Sequence, residues 1–406
     1  MTSPTRSAPR HAEPPRPLRI AVLGSPAVAA GSVVEEIGRR LVEQGHAVTV
    51  YSRAGARNAP AQHLGMRLVP VPAIHAGSFE PFSRSALSTA RVWGSPRPDV
   101  AFVFDVANAP FVAALRARGT AVAVHVAGLE PRRGREGRME RRYHRRAEEL
   151  AVREADALIA DARSIARYYD DEFGIPTEPI GYGARILRNT TSDLIEPLGL
   201  VPGWFHLAVA AGDRDDHLDV LVEGYTRSGA RSPLVVVGAG RGAAVPPRVA
   251  MAAARDSRIR LLGDVRDARL LDQLHAHAIC YLSGHAPLGT DRSLLRAMGA
   301  GTAPVVWDAA SNREVAGTAG LYFRSAPQLA GLIEEVERYP FRFQEIGELM
   351  RERARARHSW NEVGEAYELL AKRLARGYST RGVSAGRRRP ARSTPVTASA
   401  REMLRA

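Results

Sequence analysis

The stretch Tyr281–Phe323, YLSGHAPLGTDRSLLRAMGAGTAPVVWDAASNREVAGTAGLYF, restricts the possible folds more than any other part of the chain. An apolar strand runs into a glycine-containing turn, a helix follows, and a Gly-Ala-Gly break ends it. A second strand, turn and helix then repeat the unit. Alternating strands and helices build a parallel sheet covered on both faces. A turn at the carboxyl end of such a strand, opening a helix, is where α/β proteins bind phosphorylated ligands.

The same alternation runs through the rest of the sequence. LRIAVLG, VVEEIGRRLVEQGH and AVTVYSR form a strand–helix–strand unit near the N-terminus. RLVPVP, DVAFVF, AVAVHV and DALIA read as further strands, with NAPFVAALRARG as a helix between two of them. The pattern weakens between residues 186 and 202 and then restarts. HLAVAAG, LVVVG, RIRLLGD, AICYLSG, APVVW and GLYF are strands of a second series, with HLDVLVEGYTRSG, DARLLDQLHAHA and SLLRAMGA as helices. AGLIEEVERY, FQEIGELMRERARAR and SWNEVGEAYELLAKRLARG extend it with helices. This predicts two consecutive Rossmann-like domains, residues 18–190 and 191–358, without a dinucleotide fingerprint in either. A closing helix is expected over 359–377, between disordered tails at 1–17 and 378–406.

Charge supports that division. Nine of the fourteen net positive charges fall in residues 1–19 and 378–406, where Pro, Ser, Thr and Arg dominate and no core can form. Lys372 is the only lysine, so the basicity is an arginine bias and is not by itself a phosphate-binding surface. The run 131–146 carries a net +6, and from about Gly137 it can be helical on a stripe of Met139, Tyr143 and Ala147. It reads either as a solvated helix face or as a dock for an anionic bilayer. No aromatic-interleaved platform accompanies it, so nucleic acid is not expected as a partner. There is no apolar run near 18 residues and no apolar signal core, which gives a cytoplasmic expectation. The single cysteine, Cys280, excludes an internal disulfide and sits in the apolar run AICYL as a buried strand residue.

GHAVTVYSR, AVAVHVAGLE, GRMERRYHRRAEELAVREADALIADARSIARYY and GTDRSLLRAMGAG with SNREVAGTAGLYF, in that order and spacing, resemble family 4 glycosyltransferases of the bacterial rhamnosyltransferase-like kind. The likeness covers Arg19 to Ala375. It implies the α/β GT-B fold: two Rossmann-like domains whose parallel sheets face each other across a cleft, with a C-terminal helix crossing back to the first domain. Ser359, Trp360 and Tyr367 resemble that crossing segment. It also implies a retaining transfer of a hexose or deoxyhexose from a nucleoside-diphosphate sugar to a glycan, lipid-linked or metabolite acceptor. No metal and no resident cofactor are expected.

Site roles follow from the resemblance residue by residue. The diphosphate would lie at the N-terminus of the helix 290–300, against backbone amides, with Gly289, Thr290 and Ser293 giving close approach and hydroxyl donors. Gly263, Asp264 and Val265 would lie near the base. His125 would face the sugar from the other domain. From the residues alone, His125 reads rather as a structural histidine, and Thr290 and Ser293 can be helix caps. Gly299 and Gly301 read as the end of the helix.

Several positions depart from the family pattern. Val28, Ala29, Ala30 and Gly31 replace a Gly-Gly-aromatic-Glu loop, and Ala127 stands for an aspartate. Ala211 stands for a basic residue. Arg296 takes the second glutamate of the glutamate–seven residues–glutamate motif, and a guanidinium has donors but no acceptor. Arg296 would instead pair with the diphosphate and replace the charge lost at Ala211. Asp291 adds negative charge where phosphate is expected. The alternative expectation is a catalytically degenerate relative that acts as a scaffold or regulatory partner.

Overall fold

The computed structural model describes residues 16–24, 31–53, 61–71, 80–126, 138–210, 216–238, 245–265 and 267–381. The first series builds β1 (Arg19–Leu23), α1 (Val33–Glu43), β2 (Ala47–Arg53), β3 (Gln62–His63), β4 (Met66–Val71), α2 (Glu80–Trp93) and β5 (Val100–Phe104). It continues with α3 (Val112–Ala117), β6 (Ala121–Val126), α4 (Arg138–Glu154), β7 (Ala157–Ala160), α5 (Arg163–Phe173) and β8 (Glu178–Pro179). The strands form one sheet in the order β3-β4-β2-β1-β5-β6-β7-β8, parallel except for the β3–β4 pair.

The second series gives β9 (His206–Val209), α6 (Leu218–Arg227), β10 (Leu234–Val237), α7 (Pro247–Arg255), β11 (Ile259–Gly263), α8 (Ala268–His277) and β12 (Cys280–Ser283). After these come α9 (Arg292–Ala300), β13 (Ala303–Trp307), α10 (Ala310–Ala316), β14 (Leu321–Phe323), α11 (Ala326–Arg338), α12 (Pro340–Arg357) and α13 (Trp360–Ala375). Its six strands are all parallel, in the order β11-β10-β9-β12-β13-β14. In the middle of the sheet, β10 is apolar throughout rather than alternating, and every residue of β10 and β12 is buried, whereas edge strand β11 exposes Arg260.

Each sheet has one topological switch point, β1 beside β5 in the first and β9 beside β12 in the second. Chain direction reverses its order there, so the crevice for a ligand opens beyond those strand ends. Gly24 at the end of β1 has φ +82°, and a Cβ on it would lie 2.1 Å from the Phe104 carbonyl oxygen. Only glycine lets the two switch-point strands end so close together.

The closing helix leaves the second domain and packs on the first sheet. Val363, Tyr367, Leu370 and Leu374 of α13 share a core with Ile20, Val22, Ile37, Leu41 and Phe102. The Tyr367 ring meets Phe102 edge-on at 5.0 Å. At the crossing, the Ala184 N–H donates to the His358 carbonyl oxygen at 2.7 Å, and Trp360 covers Gly183.

Three details differ from the sequence expectation. The helix expected over 108–119 is a 3-10 turn, Val106–Phe111, followed by the shorter α3. Pro110 has no N–H to continue a helix ladder, and Asp105, at φ +74°, accepts from the Ala107 N–H to start the turn. Gly299 lies inside α9, and Gly301, at φ +76°, ends it alone. Residues Tyr378–Arg381, assigned to the tail from sequence, are held on the first domain. Thr380 is buried, its N–H donates to the Asp156 carbonyl oxygen at 2.7 Å, and Arg381 Nε donates to the Asp156 carboxylate at 2.9 Å. The basic run 131–137 and the departures at Val28, Ala29, Ala30, Ala127 and Ala211 lie outside the described residues. Of the expected α4 stripe, Ala147 is buried and the Tyr143 hydroxyl donates to the Ala107 carbonyl oxygen at 2.6 Å.

Candidate functional site

The carboxyl ends of β6 and β7 bring His125 and Asp161 to the edge of the first sheet. His125 is 2% exposed and lies in a stack with the rings of Phe104 (5.1 Å) and Tyr182 (5.6 Å). Its Nε2 has no hydrogen-bond partner. Burial, helped by the charge of Arg292, holds the imidazole down at about 4, so it is neutral at ordinary pH. An aromatic slot that orients a neutral imidazole and leaves one nitrogen unpaired is an unusual expense for a purely structural histidine.

Across the cleft stands the start of α9. Asp291 is its N-cap and accepts from the Ser293 N–H at 2.8 Å and the Leu294 N–H at 3.3 Å. The Thr290 N–H donates to Asp161 Oδ2 at 3.3 Å, and the Thr290 hydroxyl donates to the Asp161 carbonyl oxygen at 2.9 Å. The amides expected to receive a diphosphate are therefore held by the protein's own carboxylates. Gly289 gives close approach, but to Asp161: a Cβ there would lie 3.0 Å from both carboxylate oxygens. Ser293 Oγ stands 3.4 Å from His275 Nε2 of α8. As an expected hydroxyl donor to a ligand, Ser293 is thus turned toward a neighbouring helix.

Asp161 is 7% exposed and its Oδ1 has no partner. Burial pushes its carboxyl up to about 6, against the hydrogen bond from Thr290 and the charge of Arg292. A cavity of about 370 Å³ adjoins it, lined by Tyr182, Gly289, Thr290, Ser311 and Glu314 among others.

Arg296, one turn into α9, points along the same face. Its Nε is 3.5 Å from Asp272 Oδ1 of α8, and Arg185 Nη1 donates to Asp272 Oδ2 at 2.8 Å. The guanidinium also reaches the loop after β1, where a Cβ on Gly31 would be 3.6 Å from it. Burial lowers its affinity for its proton; Asp272 opposes this, while Arg185 and Arg292 add to it. Arg292, exposed on the first turn of α9, has no ion-pair partner among the described residues and escaped notice in the sequence. Its only signal there is an arginine four residues before Arg296, on the same helix face. Two guanidiniums, Arg296 and Arg185, thus share the Asp272 carboxylate. Gly263, at φ +69° with open space where a side chain would be, ends β11, and Asp264 beside it is exposed.

The remaining chemistry-bearing cluster is structural. Cys280 is fully buried with Sγ 3.1 Å from His206 Nδ1, and burial pushes its thiol far above the usual range. It is no nucleophile at neutral pH.

Residues 29–182 match the family model of the glycosyl transferase 4-like domain. Solved structures similar to this chain include a sucrose-phosphate synthase from Thermosynechococcus elongatus, at TM-score 0.72 and 18% identity, covering 88% of this chain and 99% of that one. Anabaena Alr3699/HepE in complex with UDP-glucose matches at TM-score 0.69 and 15% identity over 87% and 99% of the two chains. An α,α-trehalose 6-phosphate synthase from Burkholderia multivorans matches at TM-score 0.65 and 14% identity over 88% and 98%. No curated protein sequence matches the chain. Together these show the expected GT-B architecture, with its two parallel sheets.

Proposed function

We propose that this GT-B chain, whose residues 29–182 match the glycosyl transferase 4-like domain, is a glycosyltransferase. The reading is transfer of a hexose or deoxyhexose from a nucleoside-diphosphate sugar to a glycan, lipid-linked or metabolite acceptor. The observation that carries it is the pairing across the cleft of His125, with its buried, unpartnered Nε2, and the arginine-bearing face of α9. Similar structures were solved with UDP and with UDP-glucose, which favours a nucleotide-sugar donor here.

In this reading the sugar hydroxyls meet His125, and the diphosphate meets the α9 face through Arg296. The base lies toward Gly263, Asp264 and Val265. Thr290 and Gly289 form the wall between them. The configuration at the transferred carbon is retained, with the donor's own diphosphate acting as local base. Arginine charge stabilises the departing nucleotide, a role for preorganised cations in a water-poor cleft. No protein nucleophile and no resident cofactor enter this scheme. The site of action is cytoplasmic, with peripheral contact to an anionic membrane through the arginines of α4, among which Arg142, Arg145, Arg146 and Arg153 are exposed.

A second reading, a degenerate relative serving as scaffold or regulatory partner, is favoured by one observation: Asp161 and Asp291 already occupy the amides around the start of α9. Calorimetric titration with UDP, GDP, TDP and their common sugar conjugates separates the two. Micromolar binding of one nucleotide, lost in Arg296→Ala, supports the transferase. A cooperatively melting protein that binds none of them supports the scaffold.

A further inference from the structure

The corner between the two domains already holds an anion, and that anion belongs to the chain. Asp161 reaches from the end of β7 to the Thr290 N–H, under the space that Gly289 leaves open. Its other oxygen is unpartnered although the side chain is buried. Arg292, exposed on the first turn of α9 two residues past Thr290, supplies a positive charge that acts on Asp161, His125 and Tyr182 of the first domain and on Arg296 of its own helix. Arg296 and Arg185 already share Asp272, so Arg292 is the member of the trio without a carboxylate of its own among the described residues.

A buried carboxylate with one long hydrogen bond and one empty oxygen is poorly compensated. Its carboxyl is pushed up to about 6, which says the same thing in protonation terms. A phosphate group offers more acceptor oxygens and more charge, and it would meet the same amide and a guanidinium whose fork matches it. The cavity beside Asp161 gives such a group a way in.

We propose that Asp161 is a placeholder for a donor phosphate: on binding, a phosphate of the nucleoside diphosphate takes the Thr290 amide and pairs with Arg292, and the Asp161 carboxylate leaves that position. This rests on the nucleotide-sugar reading above. It assigns Arg292 as a positioning residue for the diphosphate, in addition to Arg296. It also makes the direct Asp161–Thr290 contact between the domains a competitor of the ligand, so that an empty site is held shut by the bond that the ligand must break.

Two substitutions with opposite expected effects test it on the full-length protein. Asp161→Asn keeps the size and an acceptor but removes the competing charge. It should bind UDP, GDP or TDP, whichever the wild type prefers, about 5- to 10-fold more tightly, as expected for relief of one like-charge contact. Arg292→Gln, at an exposed position, should weaken the same nucleotide about 10- to 100-fold, as for a lost charge-assisted bond. Affinity for the bare nucleoside should move in neither variant, a split that a merely structural role would not produce. Inorganic pyrophosphate serves as a second probe. If no nucleotide binds the wild type but pyrophosphate binds with the same opposed responses, the donor reading fails and the anion corner stands. If nucleotide binds the wild type and Arg292→Gln binds it unchanged, or Asp161→Asn binds it no more tightly, the placeholder is overturned while the donor reading survives. Failure of both probes to bind overturns both.

Discussion

The Glu337 carboxylate lies 3.0 Å from His206 Nε2, and through that ring it is linked to the buried Cys280. Burial pushes Glu337 up, but the hydrogen bond from His206 and those from the Arg231 and Ser232 amides outweigh it, leaving the carboxyl at about 2. A carboxylate held below its unfolded value stabilises the fold at all pH above that value. The contribution is lost as pH falls from the ordinary glutamate range toward 2. Glu337→Gln should therefore lower stability by about 1–3 kcal/mol at pH 7, as for a lost hydrogen bond to a charged group. Denaturant melts at pH 7 and pH 3 should show the difference between the variant and wild type shrinking at the lower pH.

His125 should titrate near 4. Its folded value lies below that of an unfolded histidine, so the unfolded chain binds the extra proton and stability declines as pH drops below about 6.5. Carbon-detected NMR of histidine side chains checks the first statement. A His125→Ala variant checks the second, since its stability should lose that part of the pH slope. In turnover assays the same variant should fall by about 10²–10³ in kcat, the usual cost of one lost transition-state contact.

Tyr367 carries the return of the chain to the first domain. It is 1% exposed and packs edge-on against Phe102. Truncating it to alanine removes a large aromatic from a closed core and should cost about 3–5 kcal/mol. Thermal unfolding should then show the first domain melting earlier. Little or no change in the melt would mean that α13 contributes less than its burial indicates.

Gly299 sits where α9 meets the linker between the domains. A Cβ there would lie 2.1 Å from the Arg185 carbonyl oxygen, and the Leu187 N–H donates to the Gly299 oxygen at 2.9 Å. Gly299→Ala has better helix propensity, by about 1 kcal/mol. It should nevertheless destabilise, by about 1–3 kcal/mol, because the linker backbone must move. A stabilised variant in chemical denaturation would show that the linker yields freely.

Much of this architecture was legible because its cause is local. The strands LVVV and CYLS are buried on both faces, and a run of apolar residues flanked by glycine says so directly. Asp291 was visible too, as a charge of the wrong sign for phosphate, and the structure shows the ordinary reason for it: it caps α9. Asp161 was not legible. Its partner Thr290 is 129 residues away, and only the packing of two domains joins them. Arg292 stayed hidden for a related reason, since one arginine among many carries no pattern. The breaks at Pro110 and Asp105 were misread because a single proline inside an apolar run shifts a helix start without erasing the helix signal.

Because α13 returns to the first sheet, the second domain is topologically an insertion, tethered by two neighbouring passes of backbone. Those passes are bonded to each other, Ala184 to His358, at the point where both cross. Two strands of chain stitched together at one place behave like the knuckle of a door. Such a joint places the pivot for any opening of the cleft beside Ala184 and His358.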